Sequence, residues 1–379
     1  MATIPFPDTR VSRAWSRRRW LALAFLAASL ALAAACAAAA SPRGWAPPVV
    51  SQDQLFVSLE AGRLSAYARE GDGWRFLWRF PPQGNNNVRP QAFYGAPIVT
   101  DNAIYAGGYD GTVYAVDRAQ GTLLWRFDTG GPIIAPLAFD PASGTVYAAS
   151  DDGRVYALDA GNGSLRPGWP FRTGEGIWAR PLLDGRTLYV ASLDGRLYAL
   201  DATSGSRLWD VEVGAGLISD PVLAGGTIVV GAADRRLYAV DVAQRALKWP
   251  APPRAENWFW AEPLVVGDTA YAPNLDGTVY AVALNDGSVR WTFVAENPVR
   301  ARPLLAGDVL VVVDREGVVY GLDAATGNEV WDSRPALLDR ALADPIPFGD
   351  RVLLTTQNGG LFLLDPGSGQ VQRITLPRP

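Results

Sequence analysis

Apolar residues alternate between the two faces of short predicted strands throughout most of the chain. In the segment Gly195–Trp209, GRLYALDATSGSRLW, Leu197 and Ala199 fall on one face of a strand and Tyr198 and Leu200 on the other. A Thr-Ser-Gly turn follows, and a second short strand ends at the tryptophan. The segment therefore predicts a β-hairpin with both faces apolar.

The same hairpin pattern returns at a nearly constant spacing. Its copies begin at Gly111, Gly153, Gly195, Arg235, Gly277, Gly317 and Gly359, in steps of 40 or 42 residues. A worn copy begins at Gly62, 49 residues before Gly111. Each copy follows another predicted pair of strands, and four strands in about 40 residues is the content of one propeller blade. Residues 48–379 are therefore predicted to form an all-β, eight-bladed β-propeller of four-stranded antiparallel blades.

The hairpins share the pattern Ala-x-Asp-x-x-Thr/Ser-Gly-x-x-x-Trp, which is complete at Ala199, Asp201, Ser204, Gly205 and Trp209. This pattern resembles the tryptophan-docking motif of the PQQ-like (pyrroloquinoline-quinone-type) repeat. Eight blades with little added sequence resemble the BamB family of outer-membrane β-barrel assembly lipoproteins more than the much longer quinoprotein dehydrogenases. The departures from the motif are Ala283 for Asp, Arg235 and Arg245 for Gly, and Arg373 for the last Trp.

The repeated tryptophans are expected to be structural. A four-stranded blade cannot bury both faces alone, and a Trp at its outer strand can wedge against the next blade. The motif Asp can accept backbone N–H bonds in the tight turn. The predicted docking residues are Trp125, Trp169, Trp209, Trp249, Trp291 and Trp331.

Residues 1–35 have the pattern of an export signal, with a basic segment followed by an apolar run. The segment Ser16–Leu21, SRRRWL, resembles a twin-arginine signal, and an ordinary basic region is the alternative. Cys36 ends the apolar run as the only cysteine of the chain. Its place resembles a bacterial lipobox, which implies lipidation of Cys36. The alternatives are cleavage near Ala38 or Ala40 and an uncleaved membrane anchor. Residues 36–47 are predicted to be a tether.

Charge and composition exclude several classes of function. Removal of residues 1–35 takes away five Arg and one Asp, so the net charge falls from −4 to −8, which does not favour nucleic-acid binding. The chain contains no His, and therefore lacks the commonest general base and the commonest zinc ligand. Its one Cys leaves no thiol chemistry if it is lipidated. We expect no metal, cofactor or enzymatic activity. The family resemblance leaves PQQ with calcium, in a PQQ-dependent dehydrogenase, as the alternative.

A second repeated position is predicted at one mouth of the central channel. The first strand of each blade lines the channel, and a short segment ending in Pro precedes most of these strands. Charged residues precede five of the prolines, and aromatic residues that no docking motif explains lie just upstream. The candidate binding residues are Tyr94, Trp178, Arg180, Asp220, Trp258, Trp260, Glu262, Arg302 and Asp344. They form either a self-neutralising structural ring or a site for a small ligand or partner peptide.

The sequence as a whole predicts an exported, monomeric propeller that is anchored to a membrane by an N-terminal lipid and binds protein partners in the cell envelope. The resemblance implies a BamB-like role in outer-membrane protein assembly if the host has an outer membrane. The location would then be the periplasmic face of that membrane, and otherwise the outer face of the plasma membrane. A small-ligand-binding propeller is a further alternative.

Overall fold

The computed structural model describes residues 44–71, 73–84 and 88–377. These residues form eight antiparallel sheets of consecutive strands, seven with four strands and one with three. Each sheet corresponds to one sequence repeat. The prediction of an all-β, eight-bladed propeller is confirmed.

The first four blades occupy residues 49–172 and 182–212. Blade 1 contains β1 (Val49–Ser51), β2 (Gln54–Glu60), β3 (Arg63–Glu70) and β4 (Gly73–Phe80). Blade 2 contains β5 (Ile98–Val99), β6 (Ala103–Gly107), β7 (Thr112–Asp117) and β8 (Leu123–Asp128). Blade 3 contains β9 (Ala138–Asp140), β10 (Thr145–Ser150), β11 (Arg154–Asp159) and β12 (Phe171–Arg172). Blade 4 contains β13 (Leu182–Asp184), β14 (Thr187–Ala191), β15 (Arg196–Asp201) and β16 (Arg207–Glu212).

The last four blades follow with the same strand order. Blade 5 contains β17 (Val222–Ala224), β18 (Thr227–Gly231), β19 (Leu237–Asp241) and β20 (Ala246–Leu247). Blade 6 contains β21 (Leu264–Val266), β22 (Thr269–Pro273), β23 (Thr278–Ala283) and β24 (Val289–Val294). Blade 7 contains β25 (Leu304–Ala306), β26 (Val309–Val313) and β27 (Val319–Asp323). Blade 8 contains β28 (Ile346–Phe348), β29 (Arg351–Thr355), β30 (Leu361–Leu364) and β31 (Val371–Ile374).

Blade 7 departs from the predicted four strands. In place of a fourth strand it has two isolated bridges, Leu322 with Glu329 and Val318 with Ala336. The backbone between these bridges carries Trp331, whose indole N–H still donates to the Pro366 carbonyl of blade 8 over 2.9 Å. The docking contact of blade 7 therefore survives although its outer strand is interrupted.

The core consists of eight apolar clusters, one between each pair of neighbouring blades. In β15, Leu197 and Ala199 pack on blade 5, whereas Tyr198 and Leu200 pack on blade 3. The predicted alternation is thus the division of one strand between two interfaces. Because the last cluster joins blade 8 to blade 1, side-chain packing closes the ring.

The docking tryptophans join consecutive blades. Trp249 is 4% exposed, and its Nε1 donates to the Leu284 carbonyl over 3.1 Å. Gly287 beneath it has a φ of 80°, and an added Cβ would lie 2.7 Å from the indole, so glycine is required for both reasons. The same bond from indole to the next blade's carbonyl is made by Trp78, Trp125, Trp291 and Trp331.

Two junctions deviate from this arrangement. The buried Trp169 Nε1 finds no acceptor among the described residues, and the Tyr147 hydroxyl donates to the Ala202 carbonyl, the residue after the motif Asp in the next blade. Trp209 is only half-buried, and the turn of the next blade carries Arg245 where the motif has Gly. Arg245 adopts a φ of 55°, so an arginine takes the left-handed conformation there.

The motif aspartates bind the turns as expected. The Asp201 carboxylate accepts the N–H groups of Thr203 and Ser204, and the Ser204 bonds lower the pKa of Asp201. Ala283 cannot make these bonds, and in the same turn Asp286 accepts the N–H and hydroxyl of Ser288 instead. The substitution at Ala283 therefore changes the turn bonds without removing the hairpin.

At the junction between blades 8 and 1 the aromatic contact comes from the later blade of the pair, blade 1, and not from blade 8. Arg373 stands at the docking position of blade 8 and lies over the Phe362 ring at 6.0 Å. The β3–β4 hairpin of blade 1 is longer than its counterparts and carries Trp74, whose ring centroid lies 6.1 Å from that of Phe348 in blade 8. The Arg69 guanidinium lies 5.8 Å from the same Phe348 ring. Blade 1 thus reaches back to blade 8.

We expect Trp249→Ala to lower the free energy of unfolding by about 3–5 kcal/mol, in the range for truncation of a buried aromatic residue. The matched change Trp209→Ala should cost clearly less, because Trp209 is half-buried and the turn beyond it has no glycine. Urea titrations followed by near-ultraviolet circular dichroism measure both losses. Equal losses would show that burial of the indole does not determine its contribution.

Candidate functional site

A cavity of about 100 Å³ on the propeller axis is lined by residues from every blade, and in each blade one of them holds the same repeat position. That residue lies four positions before the first residue of the blade's inner strand. In blade order, this set, the rim ring, consists of Trp45, Tyr94, Ile134, Trp178, Ile218, Trp260, Arg300 and Leu342. The axial cavity is therefore a product of the repeat.

The aromatic members of the rim ring form a continuous stack through Arg300. The Trp45 and Tyr94 ring centroids are 4.1 Å apart. The Arg300 guanidinium carbon lies 3.9 Å from the Trp45 ring centroid and 4.7 Å from that of Trp260, which in turn is 6.0 Å from Trp178. A guanidinium between two indoles is a strong cation–π arrangement. The stack links blades 2, 1, 7, 6 and 4 across the axis.

A second set, the charged ring, lies two positions before each inner strand and includes five charged residues. The Arg180 backbone N–H donates to Asp220 over 2.6 Å, and the Arg302 backbone N–H donates to Asp344 over 2.7 Å. The Glu262 carboxylate lies 2.9 Å from the Arg180 guanidinium and 3.9 Å from that of Arg302. Glu262 therefore joins blade 4 to blade 7, and the charges largely neutralise one another.

The environment of these groups alters their acidity. Burial raises the pKa of Asp220 and Glu262, although Arg180 opposes the shift, and it raises the pKa of Asp344 to about 6. Burial lowers the pKa of Arg300 to about 10, which leaves its guanidinium charged at neutral pH. The Nε of Arg300 is buried without an acceptor among the described residues, so this cation relies on the two indoles.

Most of the residues predicted from the sequence converge on this axis. Tyr94, Trp178 and Trp260 belong to the rim ring, and Arg180, Asp220, Glu262, Arg302 and Asp344 to the charged ring. Trp258 does not line the axial cavity; it is 38% exposed, and its carbonyl accepts the Leu275 N–H. It precedes the buried Phe259 and lies two positions away from the rim-ring position.

Five members of the rim ring were not anticipated: Trp45, Ile134, Ile218, Arg300 and Leu342. Counting back four residues from each inner strand would have found them, whereas a search for aromatic residues missed the other types. Trp45 was placed in the tether of residues 36–47. In the structure Gly44–Pro47 lie on the propeller, because the Trp45 and Ala46 N–H groups donate to the Phe93 carbonyl and Pro47 lines the axial cavity.

The described residues contain no group of three or more His, Cys, Asp or Glu side chains placed to hold a metal ion. No helix in the same part of the chain is long and apolar enough to cross a membrane. Cys36 and the predicted export signal lie outside the described residues.

The fold and its repeated rings define an eight-bladed propeller of PQQ-like repeats. A family model described as outer membrane protein assembly factor BamB matches residues 12–176, 166–292 and 254–378. Together these matches extend over nearly the whole sequence. The chain therefore belongs to the BamB family.

Individual relatives are more distant. The outer membrane protein assembly factor BamB of Xanthomonas campestris pv. campestris is 35% identical over 95 residues, which is 24% of this chain and 23% of that protein. The match thus spans about a quarter of that relative's length. BamB from Moraxella catarrhalis superposes with a TM-score of 0.67 and 19% identity, over 84% of this chain and 93% of that one.

The same fold occurs in an enzyme. A europium-containing methanol dehydrogenase superposes with a TM-score of 0.64 and 13% identity, over 85% of this chain and 82% of that one. Identities this low show a shared fold alone.

The raised pKa of Asp344 predicts a specific pH dependence. Between its ordinary pKa of 3.8 and about 6, the folded state holds a proton that the unfolded state has lost, so stability from this group falls as pH rises through that window. Relative to Asp344→Asn, the wild-type protein should lose up to about 2–3 kcal/mol between pH 4 and pH 7. Urea titrations of both proteins across this range measure the difference. A constant difference would mean that Asp344 has an ordinary pKa.

Proposed function

We propose that this protein is an exported, membrane-tethered scaffold that binds protein partners in the cell envelope, with a BamB-like role in outer-membrane protein assembly. The observation that carries this proposal is the match of the BamB family model from residue 12 to residue 378. The propeller supports a scaffold role, because its edges and axial face present fixed surfaces to a partner.

The axial face is the partner-binding surface that we favour. It exposes part of Trp178, Trp260 and Arg300, and Trp and Arg are among the residues most enriched where binding energy concentrates. The axial cavity of about 100 Å³ is smaller than the roughly 300–1,000 Å³ of typical small-molecule sites. Its size suits a single side chain of a partner better than a free ligand.

We propose that the protein acts without a quinone cofactor. The axial cavity is too small for a tricyclic quinone, and three carboxylates of the charged ring, Asp220, Glu262 and Asp344, line it. Arg180, Arg300 and Arg302 balance these carboxylates, so the small volume of the cavity is what excludes the quinone. The axial residues therefore do not fit this cofactor, and no oxidation step is assigned to them.

A lipid on Cys36 would limit the distance between the axial face and the membrane. Trp45 lies nine positions after Cys36, and a fully extended chain of that length spans at most about 30 Å. Anchoring would hold the Trp45 side of the axial face within that distance of the membrane surface. We therefore propose that this face meets membrane-associated partners.

Mass spectrometry of the native protein tests the anchor. We expect a mature N-terminus at Cys36 with the added mass of acyl groups. Replacement of Cys36 by Ser should release the protein from the membrane fraction. An intact Met1, or an unmodified N-terminus beyond Cys36, would contradict lipidation.

Site-specific photo-crosslinking tests the scaffold. Lys248 is the only lysine, so amine-reactive reagents are poorly suited, and p-benzoylphenylalanine should instead replace Trp178 at the rim ring. The matched control carries it at Leu124, which is 50% exposed on the outer strand of blade 2. We expect the Trp178 position, and not Leu124, to capture a component of the β-barrel assembly machinery in native membranes. Capture from Leu124 alone would move the contact to the blade edges, and capture from neither position would overturn the scaffold role.

A further inference from the structure

Trp45 differs from the other seven members of the rim ring in its place along the chain. Those seven lie in loops that connect one blade to the next, whereas Trp45 precedes the first strand of blade 1. Withdrawal of Trp45 from the rim ring therefore opens no connection between blades. It is the one rim residue that can leave while every blade-to-blade loop stays in place.

The segment that carries Trp45 sits in a fitted groove. Gly44 has a φ of 69°, and an added Cβ would lie 2.3 Å from the Phe93 carbonyl oxygen. That oxygen accepts the Trp45 and Ala46 N–H groups at 3.2 and 3.3 Å. The indole packs between Tyr94 and Arg300. Each residue of the segment thus has its own contact. Gly44 allows the close approach to Phe93, and the Trp45 ring lies over Arg300. The Ala46 N–H donates to the Phe93 carbonyl, and Pro47 lines the axial cavity.

We propose that this groove binds an extended partner segment of the type aromatic–small–proline, and that the chain's own Trp45–Ala46–Pro47 occupies it until such a segment displaces it. The proposal rests on the proposed partner-binding role of the axial face and names the chemistry of the partner. The Arg300 guanidinium and the Phe93 carbonyl recognise the incoming segment through the same contacts that now hold the internal one.

Competition between the two segments sets the apparent affinity. A tethered segment acts at an effective concentration of about millimolar, so a free peptide of equal intrinsic affinity binds only weakly while the internal segment is in place. Removal of the Trp45 indole frees the groove. The affinity for the peptide then rises by the reciprocal of the fraction of wild-type molecules in which the groove was open. Binding of a partner segment is therefore regulated by whether the chain's own segment occupies the groove.

The test uses a fluorescent peptide with the sequence of residues 42–48, PRGWAPP, and fluorescence anisotropy with the full chain. We expect Trp45→Ala to bind it at least about tenfold more tightly than wild type does, which corresponds to about 1.4 kcal/mol. The double variant Trp45→Ala, Arg300→Ala should lose that gain. Trp258→Ala, which changes an exposed Trp outside the axial cavity, should behave as wild type.

A second variant keeps the test decisive if Trp45→Ala does not fold. Gly44→Ala retains the indole but pushes the segment away from the Phe93 carbonyl, and it should also raise peptide affinity. Three outcomes overturn the proposal. One is equal binding of the peptide to wild type and to the folded variant, and another is no binding to that variant. The third is binding that is unchanged by Arg300→Ala or by replacing the Trp of the peptide with Ala. Photo-crosslinking of an intact partner from Trp178 would persist in that case, which separates this failure from failure of the scaffold role.

Discussion

A blade of this protein is stable only because a neighbour covers each of its faces. The inner residues of β15 illustrate the constraint, since alternate side chains of the same strand belong to two different apolar clusters. The stability of each blade therefore depends on its interfaces with its two neighbours, as in other repeat proteins. The ring adds one requirement, because the last blade must also cover the first. Trp74 and Phe348 meet that requirement with a contact that runs in the reverse direction to the other junctions.

The ring also concentrates chemistry on its axis. Eight copies of one repeat position converge there, so a charge of one sign at every copy would be prohibitive at such short range. The charged ring avoids this by combining Arg180 and Arg302 with three carboxylates, of which Glu262 lies near both guanidinium groups. The backbone N–H bonds to Asp220 and Asp344 fix neighbouring blades in register at the same point. The axis is thus a second set of blade contacts, polar where the docking tryptophans are apolar.

The sequence predicted the fold well because the residues that pack the blades recur at a constant spacing. It predicted the residues on the axis only in part. The docking Trp and the turn Asp have a fixed offset from the strand, which makes them easy to count. The rim ring obeys an offset too, but its side chains share no chemistry, so Arg300 and Ile134 carry no recognisable signal. Proline was an imperfect marker because its distance from the rim residue varies. Pro136 lies two positions after Ile134, whereas Pro181 lies three positions after Trp178. Trp45 was hidden because nothing in a tether-like composition reveals the carbonyl of Phe93 that it will meet.

The division between the two kinds of repeated position bears on where function can reside. The docking residue Trp249 is buried and donates its indole N–H to a carbonyl of the next blade, so it has no polar atom left to offer a partner. Rim-ring residues contact one another across a cavity instead of across a blade interface, and their identities differ from blade to blade without loss of the ring. Arg300 is half-buried there, and its buried Nε has no acceptor among the described residues. This cation lies over two indoles, one of them on the segment before the first blade, so it loses one of its two aromatic contacts when that segment withdraws.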